Sequence, residues 1–267
     1  LISRYHDPAD DALCQIALAP TSPFSVSVEL MRAVARLAES RSVLLHTHLG
    51  ETRDENDFCL EHYGQRPVDY LEDAGWLRSG TWLAHGIHFT EAEIARLGAA
   101  GVGVSHCPSS NLFLASGLCP VLDLEAAGCP VGLGVDGSSS NDHSNLMEET
   151  RQAMLVQRLR YGSGAVAATD ALRWATAGGA DLLQRPTLGR LAPGAVADLA
   201  LFDPGEDLRF SGAADPITAL VSSGARRARH VMVNGRWRVR DYAVEGVDLP
   251  ALRARHAACA KRLLAGA

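Results

Sequence analysis

The stretch LLHTHLGET, residues 44–52, decides how this chain is read. Val43, Leu44 and Leu45 form a short apolar run of the kind that fills a buried strand. The run ends in His46, His48 and Glu51, so imidazoles and a carboxylate arrive together where the strand stops. In parallel α/β proteins, ligands and catalytic groups gather at that C-terminal edge of the sheet. The stretch is therefore both a strand and the first candidate for a site.

Outward from it the same unit repeats. Residues 15–19, 42–48, 81–85, 102–106 and 131–135 read as strands, and helical spacing occupies 27–39, 56–63, 67–74, 91–99, 120–127 and 145–159. Strands alternating with helices imply a parallel sheet. Titratable residues sit at strand ends, namely His48, His85, His106 and Asp136, and several strand ends feeding one face is the pattern of a (β/α)8 barrel of the TIM type. The character changes near Gln184. TLGRLAPGAVADLALFD, 187–203, alternates apolar residues among Gly, Pro and Ala, and VMVNGRWRV, 231–239, predicts a hairpin around Asn234-Gly235, the favoured type I′ pair. The expected organisation is a partial barrel over 1–185, a small β-sandwich portion over 186–245, and a C-terminal helix over 246–267 that packs back.

With 267 residues, 47% hydrophobic and 21% charged, the chain can bury a sizeable core. A net charge of -6 argues against a surface for a polyanion, so nucleic acid is not an expected partner. No apolar run approaches the roughly 20 residues that span a bilayer, so no membrane is expected either. The six cysteines form no C-x-x-C pair, which fits reduced thiols in a cytoplasm. LISRYHDPADD at the start has no signal-peptide character, and without an initiator Met the chain reads as a fragment. Lys261 is the only lysine, which excludes chemistry that needs one inside a site.

His48 and Glu51 form H-x-x-E, a spacing at which the imidazole can bind a metal while the carboxylate reaches a water on it. His46 lies two residues earlier on the same face, deeper in, where a packed, hydrogen-bonded histidine is the plainer reading. His85 in AHGIHF could polarise a carbonyl or a water, and His88 fits the rim. Cys107, beside His106 in SHCPSSN, invites a nucleophile reading, but such a thiol wants a dedicated base and a thiolate-stabilising setting. Pro108 and Asn111 look like loop-shaping residues. Asp136 ends a buried apolar strand, and a metal or a proton-transfer task would offset its desolvation. Asn141, Asp142 and His143 add a polar loop beside it. Gly132, Gly134 and Gly137 spell G-x-G-x-x-G. A dinucleotide site would need a helix opening at Gly137, whereas here two of the glycines lie within the strand.

HTHLGE, AHGIHF, SHCPSSNLFLASG and GVDGSSSND, with G-R-L-x-P-G-x-x-A-D-L at 189–199, follow the order of the amidohydrolase superfamily, and over nearly its whole length the chain resembles that superfamily's deaminase branch. Residues 58–77 and LAHGIHF look most like the bacterial enzymes that deaminate 8-oxoguanine, with triazine aminohydrolases next. The resemblance implies that barrel strands four to eight are present. It implies His48 as a metal ligand, Asp136 as ligand and general base, Glu51 as proton shuttle, and His85 as the group that orients water or substrate, with a place among the ligands open to it. It further implies one Zn²⁺, though Fe²⁺ fits the same ligands. The substrate would be a small purine-like molecule, with 8-oxoguanine hydrolysed to urate and ammonia. Guanine, isoguanine, cytosine or a hydroxy-triazine are the alternatives, and a homo-oligomer is left open.

Two departures qualify the likeness. The family's first-strand His-x-His pair has no counterpart, since His6 stands alone, so the chain as given is expected to bind metal poorly, and a catalytically silent fragment is the competing expectation. QIALAPTSPFS, 15–25, has no lysine where two-metal relatives carry a carboxylated one, which favours a single metal.

Overall fold

The apolar runs become five strands in the computed structural model, described for residues 1–203, 205, 208–210, 212–224 and 227–266. These are β1 (Ala17–Leu18), β2 (Leu44–Leu49), β3 (Thr81–His85), β4 (Gly103–His106) and β5 (Val131–Leu133), all parallel and paired in chain order. β5 is shorter than the expected 131–135. Gly134 donates its N–H to the His106 carbonyl at 2.9 Å, and the backbone then leaves the ladder.

Helices on the crossovers make the parallel order possible. Val28–Arg41 starts at Ser27, whose hydroxyl accepts from the Leu30 N–H at 3.3 Å. Glu91–Ala99 opens with a reciprocal Thr90/Glu93 capping box. Arg53–Tyr63, Pro67–Asp73, Val121–Ala126 and Leu146–Tyr161 complete the expected set. Their apolar sides meet one face of the sheet in a core that includes Leu45, Leu49, Leu83, Val104 and Val131 from the strands. Met31, Tyr70, Leu71, Trp76, Leu97 and Leu124 come from the helical side, and Trp76 Nε1 donates to the Met31 carbonyl at 2.9 Å. Each large side chain buried there contributes roughly 1.5–3 kcal/mol.

The other face carries Leu44, His46, His48 and Trp82, all partly exposed. At its N-terminal end the glycines of β4 and β5 leave room for Leu182, whose methyls lie where side chains at Gly103 and Gly132 would stand. Leu182 ends a helical run that the sequence reading did not foresee: Ala168–Arg173, a π-helical turn over Trp174–Gly178, and Gly179–Leu182. The run is short in each part and interrupted by two glycines, which hides its period.

A second sheet is antiparallel in chain order: β6 (Leu199–Leu201), β7 (His230–Val233), β8 (Arg236–Arg240) and β9 (Ala243–Val244). Asn234 and Gly235 join β7 to β8 with φ of 45° and 72°, as a type I′ turn requires. Helix Pro216–Ser223 interrupts the β region and was not anticipated. The terminal helix forms over Leu249–Ala265, but none of its residues is buried, so the expected packing back is not seen here. Among the described residues no helix is long and apolar enough to cross a membrane.

Two adjacent glycines give a test of this packing. A Cβ on Gly178 would lie 2.1 Å from the Val131 carbonyl oxygen, while one on Gly179 meets nothing within 4 Å. Gly178→Ala should lower stability by about 2–3 kcal/mol, because backbone cannot yield as a side chain does. Gly179→Ala should leave it unchanged or raise it by up to about 1 kcal/mol. Urea midpoints of the two variants check the contrast.

Candidate functional site

Burial alternates along β2, with Leu45, Thr47 and Leu49 buried and Leu44, His46 and His48 on the opposite face. The ladder pairs Leu49 with His85, so a regular strand would aim His85 toward the helices. His85 instead has a φ of 72° and Asp136 a φ of 62°, left-handed backbone that costs a non-glycine residue about 1–3 kcal/mol. With that backbone both side chains meet His48. His48 Nε2 lies 3.9 Å from Asp136 Oδ1, and His85 Nε2 lies 3.7 Å from Asp136 Oδ2 and 3.6 Å from Glu51 Oε2. The His48 and His85 rings stack with centroids 5.4 Å apart.

Fixed acceptors set both tautomers. His48 Nδ1 donates to the Thr21 carbonyl at 2.7 Å, and His85 Nδ1 donates to Asn111 Oδ1 at 2.8 Å. In its neutral form each ring therefore turns a bare Nε2 lone pair toward Asp136. His85 Nε2 is buried with no hydrogen-bond partner. An orphaned, oriented imidazole nitrogen beside a second one and a carboxylate is a donor set that fits a divalent cation such as zinc. His48, His85 and Asp136 form a cluster whose ligand atoms all lie within 4.8 Å of one another.

Burial acts to raise the Asp136 carboxyl. Ser110 Oγ donating at 2.5 Å, the Gly137 N–H, His85 and His48 outweigh it and hold the group below the usual carboxylate range. Ser140 Oγ stands 2.8 Å from Ser110 Oγ and extends the chain of hydroxyls. Behind this loop, Glu149 accepts from Asn141 Nδ2 at 2.7 Å and from the Ser109 N–H at 3.0 Å, and Asn141 Nδ2 also reaches the Val135 carbonyl at 2.8 Å. On the other side Glu55 accepts from the Gly50 N–H at 2.6 Å and from the Glu51 N–H. Burial pushes the Glu55 carboxyl up to about 7, against those two N–H groups.

The remaining candidates fall outside this cluster. His46 Nδ1 donates to the Trp82 carbonyl at 3.2 Å and the ring stacks on the Trp82 ring at 4.8 Å, a packed histidine as expected. His88 Nε2 pairs with the Ser116 carbonyl at 2.8 Å. His106 is fully buried on the helix side, where desolvation pushes it down to about 3 and Gln157 Nε2 lies 3.5 Å away. Cys107 is buried, and desolvation raises its thiol to about 12, the reverse of what a nucleophile needs. Ser138–Ser140 form a turn and the next helix begins only at Leu146, so no helix opens at Gly137 as a dinucleotide site would require.

Pro108 and Asn111, read as loop-shaping, belong to helix Pro108–Phe113, with Pro108 at its start and Asn111 holding His85. Ser110, Thr21, Glu55 and Glu149 were also missed. A signal existed for Glu149: it lies with Ala153 and Gln157 at four-residue spacing in the buried stripe of its helix, where a carboxylate needs partners.

The sequence profile of the amidohydrolase family matches residues 1–238. An 8-oxoguanine deaminase of Pseudomonas aeruginosa is 61% identical over 266 residues, covering 100% of this chain and 59% of its own length. A hydroxydechloroatrazine ethylaminohydrolase of a Pseudomonas species is 44% identical over 206 residues, 76% of this chain and 42% of that protein. Among solved structures, the zinc complex of atrazine chlorohydrolase from Arthrobacter aurescens superposes with a TM-score of 0.92 at 34% identity, covering 96% of this chain and 57% of that one. The chain thus spans 59% or less of the length of these relatives, and the parallel sheet is part of their (β/α)8 fold.

Two measurements follow from the burial of these groups. In the native protein at pH 8 a disulfide reagent should react quickly with Cys14 and Cys259, the two exposed thiols, and not with Cys107. All six should react after denaturation. Glu55 is 1% exposed, and burial raises its carboxyl from the ordinary 4.5 to about 7. A raised carboxyl contributes stability below its unfolded pKa and loses it as pH climbs through the folded one. The protein should therefore lose about 3 kcal/mol relative to Glu55→Gln between pH 4 and 8. Denaturant midpoints with parallel pH profiles would contradict this.

Proposed function

The chain belongs to the amidohydrolase family, and on that premise we propose that it carries the proton-transfer groups of a mononuclear metal-dependent deaminase that hydrolyses the ring amine of 8-oxoguanine, giving urate and ammonia. The observation that carries the reading is the convergence of two tautomer-fixed Nε2 atoms on an ionised Asp136. Its substrate is argued from the 61% identity along the whole chain to a deaminase of that name.

In this reading His48 and Asp136 hold the metal, and His85, whose Nε2 lies 3.7 Å from Asp136 Oδ2, either joins them or orients the attacking water. Zinc is the first choice for a His and carboxylate set, and Fe²⁺ fits the same donors. A metal bound there supplies the Lewis acid that acidifies water toward neutral pH. Asp136, held ionised by Ser110, accepts the proton of the attacking water. Glu51, entering protonated, gives its proton to the ring nitrogen beside the carbon under attack; the proton taken by Asp136 then passes to the departing amine, which leaves as ammonia, while the new hydroxyl returns its proton to Glu51 and becomes the carbonyl. His85 Nε2 lies between Glu51 and Asp136, so the imidazole and both carboxylates face one reacting centre. The six free cysteines suit a reducing compartment, and the cytoplasm is the proposed location.

A triazine ring is the second reading, favoured by the 44% identical ethylaminohydrolase. The test is ammonia release from 8-oxoguanine, guanine, isoguanine, cytosine and a hydroxy-triazine by the full-length gene product supplied with zinc. The expected outcome is preferential turnover of 8-oxoguanine, abolished by chelation and lowered at least about 100-fold in Glu51→Gln and in Asp136→Asn. Preference for another ring discards the substrate, and no ammonia from any ring with zinc bound discards the deaminase reading. Asn111→Ala should weaken zinc binding about 10–100-fold in a chelator competition, because it frees the His85 ring.

A further inference from the structure

Glu55 is a buried carboxylate that the proposed chemistry leaves without a task. It occupies the third position of helix Arg53–Tyr63, whose N-cap Thr52 makes no side-chain capping bond. A carboxylate at this position ordinarily turns back onto the N–H of the N-cap residue. Glu55 reaches further, to the N–H groups of Glu51 and Gly50, one and two residues before the cap. Its bonds thus hold the backbone that carries Glu51 as well as the helix start.

The other side of the same peptide is also fixed. The Gly50 carbonyl accepts from the Ile87 N–H at 2.7 Å and the His88 N–H at 2.9 Å, in the loop that follows His85. Gly50 has a φ of 67°, and a Cβ there would meet the Phe89 ring at 2.7 Å. The Gly50–Glu51 backbone is therefore clamped between Glu55 and the loop after β3. Glu51, carried by this clamped backbone, has its Oε2 3.6 Å from His85 Nε2.

We propose that Glu55 is a positioning residue for Glu51, acting through the Gly50 and Glu51 amides to hold the Glu51 carboxylate at the reacting atoms. The inference rests on the proton-shuttle role given to Glu51 above. A purely structural cap would affect stability alone. A positioning residue affects the chemical step and acts only while Glu51 can transfer a proton.

The test compares Glu55→Gln, Glu55→Ala, Glu51→Gln and the double variant Glu51→Gln/Glu55→Gln in the zinc-loaded full-length gene product. Glu55→Gln, isosteric and able to fold if the alanine variant cannot, should lower kcat about 10-fold or more with KM changed less than about 3-fold, as a misplaced catalytic group does. The double variant should be no slower than Glu51→Gln by more than about 2-fold, since the two act as a unit. Hydrogen exchange at the Gly50 and Glu51 amides should quicken in Glu55→Gln, or in Glu55→Ala where it folds, while exchange across β3 and β4 is unchanged. Undiminished kcat, or losses that multiply in the double variant, would overturn the proposal. Should the parent release no ammonia from any ring, the deaminase reading fails by itself. The exchange data then decide the anchoring: selective quickening upholds it and unchanged exchange overturns it.

Discussion

His48 and His85 each donate an Nδ1–H to an acceptor outside the cluster, the Thr21 carbonyl for the first and Asn111 Oδ1 for the second, so their Nε2 atoms face Asp136. Much of the surrounding structure follows from keeping that arrangement. Thr21 lies in the turn after β1, and its carbonyl also accepts from the His48 N–H and the Thr47 hydroxyl, which ties the turn to β2. Asn111 and Ser110 come from the helix after β4, so one short helix orients an imidazole with one side chain and a carboxylate with the next. Strand ends that are neighbours in the sheet thereby supply both the donors and the groups that orient them.

The arrangement has an energetic cost, located at His85 and Asp136, where left-handed backbone replaces extended strand. Both residues precede a glycine, Gly86 and Gly137, so the chain can change direction immediately afterwards. Without the reversal His85 would lie with Leu49 and Leu83 in the apolar layer, where His106 does lie and where desolvation keeps an imidazole uncharged. The comparison of His85 with His106 shows why residue type and strand position alone do not identify a ligand.

That contrast also marks how much was legible in the sequence. Apolar runs bounded by polar residues located the five parallel strands, because strands of a helix-covered parallel sheet read as short runs rich in apolar residues. Asn234-Gly235 located the hairpin, because the pair favours the positive φ that the turn demands. The four residues that come together in the cluster, His48, Glu51, His85 and Asp136, were readable as titratable groups at or just past strand ends. Their supports were not. Asn111 and Ser110 sit in an unremarkable polar stretch, and their meaning comes from partners 26 residues away in each case. The helical run ending at Leu182 was hidden because its contacts, glycine against strand backbone and Leu182 over two more glycines, leave no amphipathic period.

Two carboxylates buried to 1% and 0% exposure, Glu55 and Glu149, stand behind the loops that bear Glu51 and Asp136. Neither belongs to the candidate metal-ligand cluster, and both accept from N–H groups beside it: Gly50 and Glu51 for one, and for the other Asn141 of the Asp136 loop and Ser109 of the helix after β4. A buried carboxylate is costly to desolvate, so apolar packing would serve stability as well. What a carboxylate adds is two acceptors with charge-assisted bonds, shorter and stronger than those of a neutral amide. Two N–H groups on one rigid acceptor fix the direction of a loop and not only its location. Under the proposed chemistry Glu51 and Asp136 exchange protons at a shared centre and need that direction set before substrate arrives, and each has a buried carboxylate behind its loop.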